Sequence, residues 1–465
     1  MGGACSGSGM RKRLRLYIQR MAPELLVISS YLAVVLVGTV LLSLPAASTG
    51  EALVPIDALF TATSAICVTG LVVVDTGTQF TVFGKSVLLA LIQLGGLGVM
   101  TFSVFLFLFL GRGIGTRERW IIAGSFTPAP MRDIRSLMRS IFLFTVLVEA
   151  AGAVLLFLYW RREMAVPSAL FTSIFHSISA FCNAGFSFFA TSFERYRGSA
   201  LINGAIMTLI VVGGIGFPVM YEISRRIGDR KRHRRVSLSL HSRMVLWTTC
   251  ILIVSGGVLV YLLERNHAVA GLPWWEKLFT SLFQSVTART AGFNTLDIST
   301  LTGATLFIII MLMFIGASPG SCGGGIKTTS LAIFAAIFNN KVRGKETVSI
   351  FHRTLPEETV SRALSIFILA ILTITVGVVV LLVTERSGGN PGRDQFLAYL
   401  FEAVSAFGTV GLSMGVTSTL TTAGKLVLIV LMLLGRVGLL TIAYVFTRRA
   451  RVALYRYAEE KVMIG

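Results

Sequence analysis

Four short stretches of this 465-residue chain each set small or hydroxyl residues against a glycine: Val68-Thr69-Gly70, Asn183-Ala184-Gly185, Thr290-Ala291-Gly292 and Thr409-Val410-Gly411. Their most distinctive chemical resource is backbone. A cation leaves water only where oxygens replace its hydration shell, and rings of peptide carbonyls supply them. Turning consecutive carbonyls to one side requires dihedrals that glycine reaches at least cost. The chemistry that fits is therefore reversible coordination of a dehydrated cation. The five histidines (His176, His233, His241, His267 and His352) are scattered and no G-x-S-x-G motif occurs, so no enzyme chemistry is indicated.

The elements that must carry these glycines repeat along the chain. The segments "ALFTATSAICVTGL" (58–71), "ALFTSIFHSISAFCNAGF" (169–186), "KLFTSLFQSVTARTAGF" (277–293) and "QFLAYLFEAVSAFGTVGL" (395–412) align, each a short amphipathic stretch running to its glycine. Gly70, Gly185, Gly292 and Gly411 are separated by steps of 115, 107 and 119 residues. A second glycine follows each one: Gly95, Gly213, Gly316 and Gly435 lie 25, 28, 24 and 24 residues downstream. Each repeat reads as a span, a half-helix with a glycine loop, and a second span. A half-helix of about 10–13 residues is too short to cross a bilayer. It must enter from the outer face and return as non-helical backbone, which is tolerated at membrane depth only where protein buries it or water lines it. Like-oriented loops of this kind converge on one axis, which is a pore. The flanking Phe175, Phe181, Phe186, Phe283, Phe293, Phe401 and Phe407 read as packing around the loops.

Composition agrees. The chain is 54% hydrophobic and 14% charged, with a mean hydropathy of +0.78, against roughly 25% charged residues in a soluble domain. Apolar runs at Leu25–Leu44, Ser86–Leu110, Ser140–Tyr159, Ala200–Met220, Val245–Leu263, Leu364–Val383 and Leu426–Phe446 exceed the roughly 18 residues that mark a membrane span. The expected fold is an all-α polytopic membrane protein of four span–pore-helix–span repeats, with pseudo-fourfold symmetry around one pore. The boundaries read as an N-terminal tail 1–24, repeats 25–111, 112–230, 231–343 and 344–447, and a C-terminal tail 448–465.

The net charge of +20 does not point to nucleic acid, because the basic residues gather in segments between spans: Arg11–Arg20, Arg112–Arg139, Arg225–Arg243, Lys341–Arg362 and Arg448–Lys461. That is the positive-inside pattern, with both termini cytoplasmic in a plasma (inner) membrane crossed many times. It also favours anionic lipid headgroups. Cys5, Cys67, Cys182, Cys250 and Cys322 show no metal-like spacing and read as packing residues without a disulfide. The opening MGGACSGSG matches a Met-Gly-x-x-x-Ser acylation form, which short tails also meet by chance.

The third repeat is interrupted in its last span by "GASPGSCGGGIKTTS" (316–330). Pro319 and the glycines break the helix, so Gly316, Ala317, Ser318, Pro319, Gly320, Ser321, Cys322, Gly323, Gly324 and Gly325 form a loop expected just below the glycine ring, with Lys327 at its end either snorkelling or anchoring it. It is not a nucleotide-binding loop, because Ile326 separates Gly325 from Lys327 and the surroundings are membrane helix. Arg436 stands alone in an apolar span, where a charge costs about 2.5–3.5 kcal/mol or more. It is expected to face the pore interior and pair with loop carbonyls or water. Asp57, Asp75 and Glu402 read as mouth charges that concentrate cations, with Glu402 equally readable as a structural hydrogen-bond partner.

From about Leu25 onward the chain resembles the Trk/Ktr/HKT superfamily of potassium transporters, and within it the KtrB-type membrane subunit. The carrying motifs are "DALFTATSAICVTGLVVVDTGTQFTVFG", "FHSISAFCNAGFS", "TARTAGFN", "SCGGGIKTTS" and "FGTVGLSMG" with "GRVG". Thr409-Val410-Gly411 is also similar to the front of the TVGYG signature of potassium channels. The resemblance implies K⁺ as bound and transported ion at the carbonyls of the twelve filter residues named above, with some Na⁺ possible and no organic cofactor. Gly70 stands where serine accompanies sodium preference in plant HKT proteins. The resemblance further implies that the 316–330 loop gates the pore, that Arg436 is an electrostatic barrier beneath the filter, that the protein is a homodimer, and that a cytosolic nucleotide-binding regulatory ring (KtrA-type RCK subunits) docks on the basic inner face. The alternative is an alternating-access Na⁺- or H⁺-coupled cation symporter, whose repeats are usually inverted pairs or six-span halves.

Overall fold

The computed structural model describes residues 23–97, 134–231, 237–345, 347–385 and 393–438. Its main helices are α1 Pro23–Leu42, α2 Pro55–Cys67, α3 Val82–Gly96, α4 Ile134–Trp160, α5 Val166–Phe181, α6 Ala200–Ile215, α7 Phe217–Lys231, α8 Leu240–Glu264, α9 Trp274–Thr287, α10 Gly303–Phe314, α11 Thr328–Val342, α12 Glu357–Thr384, α13 Arg393–Gly408 and α14 Thr422–Val437. The glycine loops follow α2, α5, α9 and α13, which are 13, 16, 14 and 16 residues long. Three are thus longer than the half-helices expected from the sequence. Proline in the first turn starts α2 and α5, where its fixed φ costs no hydrogen bond.

Among the described residues, α4, α8 and α12 carry spans long and apolar enough to cross a bilayer, and only 28% of each best window is buried. Leu143, Leu147, Val154, Ile251, Val258, Leu372 and Val379 stand exposed on these helices, an apolar surface that lipid covers without cost. The pore helices are the opposite case. From Phe60 to Cys67 every residue of α2 is buried, which is the condition for ending a helix at membrane depth. The runs expected to cross at 86–110 and 426–446 continue beyond the described residues, as do the two tails and the acylation form.

One expected span is corrected. The run Ala200–Met220 is not straight: α6 and α7 meet at 98°. Gly216, at φ 99°, supplies a backbone conformation that no L-residue adopts cheaply, and the Phe217 amide leaves the helix to donate to Gly320 O at 2.9 Å.

The packing order closes on itself. The second-span helix of each repeat lies against the pore helix of the next: α3 on α5, α6 on α9, α10 on α13, and α14 back on α2. The downstream glycines permit a second approach, within each repeat. A Cβ on Gly95, Gly213 or Gly435 would run into the carbonyl of Ile66, Phe181 or Phe407 near the end of that repeat's pore helix. At the closing joint, Lys425 Nζ of α14 meets Asp57 Oδ1 of α2 at 2.6 Å, with side chains 13% and 18% exposed. Asp57 is therefore neutralised within the protein rather than free at the mouth. Removing either partner alone, as Asp57→Asn or Lys425→Met, is expected to cost about 2 kcal/mol, below the roughly 3–5 kcal/mol of a fully buried pair. Thermal melting in detergent checks this, with the Asp57→Lys/Lys425→Asp exchange recovering part of the loss.

Candidate cation site

Each pore helix ends in the same backbone move. The residue two before the glycine turns left-handed: Val68 at φ 57°, Asn183 at 60°, Thr290 at 71° and Thr409 at 50°. Gly70, Gly185, Gly292 and Gly411 follow at 92°, 70°, 77° and 93°, while Thr69, Ala184, Ala291 and Val410 between them keep negative φ. Alternating handedness along a peptide turns successive carbonyls toward one side. For β-branched Val68, Thr290 and Thr409 the left-handed conformation costs roughly 1–2 kcal/mol each, strain that persists only where surrounding structure enforces it.

A hydroxyl at the end of each pore helix enforces it. Ser64 Oγ accepts from Gly70 N at 3.1 Å and donates to Leu71 O at 2.7 Å. Ser179 donates to Phe186 O at 2.9 Å, Thr287 to Phe293 O at 2.5 Å, and Ser405 accepts from Gly411 N at 3.1 Å. The sequence reading gave these residues no role. Their signal is a Ser/Thr-Ala pair before each glycine: Ser64, Ser179 and Ser405 lie six residues ahead, whereas Thr287 lies five ahead of Gly292. The third loop is one residue shorter than its siblings.

The loops meet in a ring. A Cβ on Gly70 would lie 2.5 Å from Ala184 O and 2.9 Å from Gly185 Cα. One on Gly185 would lie 2.9 Å from Ala291 O, and one on Gly292 2.5 Å from Val410 O. One on Gly411 would strike Thr69 O and stand 3.0 Å from Gly70 Cα. So the middle carbonyl of each loop sits against its neighbour's glycine, and the order returns to its start. All four glycines line the floor of a cavity of about 550 Å³, walled by Asp75, Ser187, Asn294, Asp297, Ser413 and Thr417 among others. Asp75 lines this cavity while capping the turn at Gly77 N, 2.9 Å away. Asn183 and Thr290 hydrogen-bond at 3.2 Å, joining the second and third loops. The phenylalanines expected as packing, Phe175, Phe181, Phe186, Phe283, Phe293, Phe401 and Phe407, are all buried.

Directly against the ring lies the interruption between α10 and α11. Ser318 N donates to Gly214 O at 3.1 Å and Cys322 N to Gly213 O at 3.3 Å, tying the loop to α6. Gly324 N donates to Thr409 Oγ1 at 2.9 Å, and a Cβ on Gly323 would run into the Thr290 hydroxyl. The left-handed residues of the third and fourth glycine loops thus rest on this segment. Thr328 Oγ1 bonds Ser318 Oγ at 3.0 Å, Thr328 N donates to Ala317 O at 3.3 Å, and Ile315 bridges Ile326, closing the loop at its base. Gly316 and Gly325 pack on each other there, and Pro319 O and Gly320 O face Gly216 and Phe217 N of the α6–α7 bend. Ser321 Oγ turns back to Ser318 O at 2.6 Å.

Two cations hold this loop. Lys327 Nζ donates to Gly323 O at 2.7 Å and Gly324 O at 3.3 Å, so it anchors rather than snorkels. Arg436, 8% exposed, donates to Cys322 O from one terminal nitrogen and to Gly95 O from the other, joining α14, the loop and α3. Glu402 is fully buried within α13 and accepts from Ser413, Met414 and Thr417. It is a hydrogen-bond partner and not a mouth charge. Cys67, Cys182, Cys250 and Cys322 are free thiols.

Comparison with known proteins is then decisive. Residues 10–451 match the family model TrkH, described as a cation transport protein. This chain belongs to the TrkH family. It is 39% identical to Ktr system potassium uptake protein B of Bacillus subtilis over 95% of this chain and 96% of that protein. It is 36% identical to potassium/sodium uptake protein NtpJ of Enterococcus hirae over 98% and 99%. The crystal structure of the potassium transporter TrkH from Vibrio parahaemolyticus shares the fold at TM-score 0.71 and 19% identity, over 92% of this chain and 86% of that one. This TrkH-family chain is thus a KtrB-type, polytopic helical membrane transport protein and not an enzyme.

Because a side chain on Gly70 would meet Ala184 O at 2.5 Å, Gly70→Ser is expected to displace one carbonyl from the ring. Na⁺ flux relative to K⁺ should rise severalfold in reconstituted liposomes. Unchanged selectivity would remove Gly70 from the ion path.

Proposed function

We propose that this chain is the ion-conducting membrane subunit of a potassium uptake system, passing K⁺ inward through the ring of glycine loops. The observation that carries the reading is the closed cyclic order in which each loop's middle carbonyl abuts the preceding loop's glycine. Val68–Gly70, Asn183–Gly185, Thr290–Gly292 and Thr409–Gly411 would be the selectivity filter, with K⁺ held by carbonyls and no organic cofactor in this chain. Only one loop carries Thr-Val-Gly, so selectivity is expected to be weaker than in a channel with four identical loops, with Na⁺ as minor permeant. The name of the Enterococcus relative, potassium/sodium uptake protein, supports this.

Gly316–Gly325 with Lys327 and Arg436 would be the gate. The segment lies against Thr290 and Thr409, and the fixed Arg436 guanidinium repels a passing cation unless the loop moves. The basic segments support cytoplasmic termini, a plasma-membrane location and contact with anionic lipids. The Ktr-system names of the relatives support a multi-component assembly, in which this chain would be a homodimer with a cytosolic nucleotide-binding regulatory ring on its inner face.

Flux of K⁺, Rb⁺, Na⁺ and Li⁺ into liposomes holding the purified protein tests the proposal. K⁺ and Rb⁺ are expected to exceed Na⁺ and Li⁺, and Arg436→Ala or a shortened Ser318–Gly325 should raise total flux severalfold. Silence of the wild type together with both gate variants would defeat the reading.

A further inference from the structure

The pore helices share one more position, three residues ahead of each clamping hydroxyl: Thr61, His176, Gln284 and Glu402. All four are buried polar residues. Three of them reach forward past the glycine to the segment that leads out of the ring. His176 Nε2 accepts from Phe188 N at 3.3 Å and lies 3.1 Å from Ser187 Oγ, which fixes the ring proton on Nδ1, donating to Thr172 O at 2.8 Å. Gln284 Nε2 reaches Thr295 Oγ1 at 3.4 Å. Glu402 accepts from Ser413 Oγ, from Met414 N at 3.2 Å and from Thr417 Oγ1 at 2.8 Å. In each case the partners begin two or three residues beyond the glycine. Thr61 instead bonds back to Asp57 O of its own helix at 2.7 Å, and the segment after Gly70 is Leu71-Val72-Val73-Val74.

We infer that His176, Gln284 and Glu402 are struts that hold the outer ends of their three glycine loops, and that Glu402, with the most bonds to the segment beyond its glycine, is a positioning residue for ion selectivity. The physical argument is a short lever. A pore helix is fixed by burial of its C-terminal end, and the loop beyond its glycine has no helical hydrogen bonds of its own. A strut from the helix to that segment therefore sets how far the loop's carbonyls can retreat from a smaller ion. A ring whose carbonyls follow Na⁺ inward loses its preference for K⁺. Three loops with struts and one without also make the ring unequal, the first loop, at Gly70, being held by its Ser64 clamp but not by a strut. The inference rests on the proposal that the glycine loops are the filter.

The test compares Glu402→Gln and Ser413→Ala/Thr417→Val with wild type, reading Rb⁺ uptake against Na⁺ uptake in liposomes. Gly70→Ser serves as the reference for a change in the ring itself. Both strut variants are expected to lower the Rb⁺/Na⁺ ratio about fivefold, the factor that one net hydrogen bond is worth, while total cation flux persists. Should Glu402→Gln not reach the membrane, the Ser413/Thr417 variant, which keeps the carboxylate, carries the test alone. A residue that only stabilises the fold would lower the amount of active protein and leave the ratio unchanged; that outcome, with Gly70→Ser still shifting the ratio, overturns the strut and leaves the filter standing. If Gly70→Ser also leaves the ratio unchanged, the filter reading fails and takes the strut with it.

Discussion

Peptide groups cannot be left unpaired in hydrocarbon, and four breaks in helical hydrogen bonding at membrane depth are the constraint around which this protein is built. The breaks survive because they satisfy one another. Each loop is clamped by a hydroxyl of its own pore helix and flanked by the glycine of the next loop. The pore helices are buried so that they can end there, and the longer helices face lipid so that the pore helices need not. Removing one loop would leave one neighbour's carbonyl and the other neighbour's glycine without their partner, so the ring stands or falls as a unit.

The second dependence runs vertically. The interrupted span between α10 and α11 is itself non-helical backbone, and it is satisfied by partners from two other repeats: the Gly213 and Gly214 carbonyls of the second, and the Thr409 hydroxyl and Arg436 guanidinium of the fourth. Because Thr290 and Thr409 belong to the glycine loops and touch this segment, displacement of the segment changes the lower contacts of the ring. In the proposed account, opening and selectivity share these two threonines.

Much of this was legible in the sequence, for a particular reason. Backbone sites need glycine and small residues at fixed places, and fixed places in repeated units recur at constant spacing, as Gly70, Gly185, Gly292 and Gly411 do with their downstream partners. Arg436 could be anticipated to pair with loop carbonyls or water because an apolar span leaves a charge few partners, and it meets the carbonyls of Cys322 and Gly95. What stayed hidden depended on partners remote in sequence. Lys425 is 368 residues from the Asp57 it neutralises, so Asp57 read as a mouth charge. Gly216-Phe217-Pro218 marks a break within the run Ala200–Met220, but the 98° bend there is held by the Gly320 carbonyl of another repeat, a partner remote in sequence. The hydroxyl clamp was visible as a Ser/Thr-Ala pair, but the one-residue deletion in the third loop obscured its register.

The central claim is that one cation sits at the centre of the glycine ring, held by carbonyls from all four loops. Anomalous diffraction from crystals grown with Rb⁺ in place of K⁺ tests it most directly. The account predicts a Rb⁺ peak on the axis shared by Gly70, Gly185, Gly292 and Gly411, lost when Na⁺ replaces Rb⁺. Rb⁺ bound elsewhere in the membrane region, with the ring axis empty under the same conditions, would contradict it.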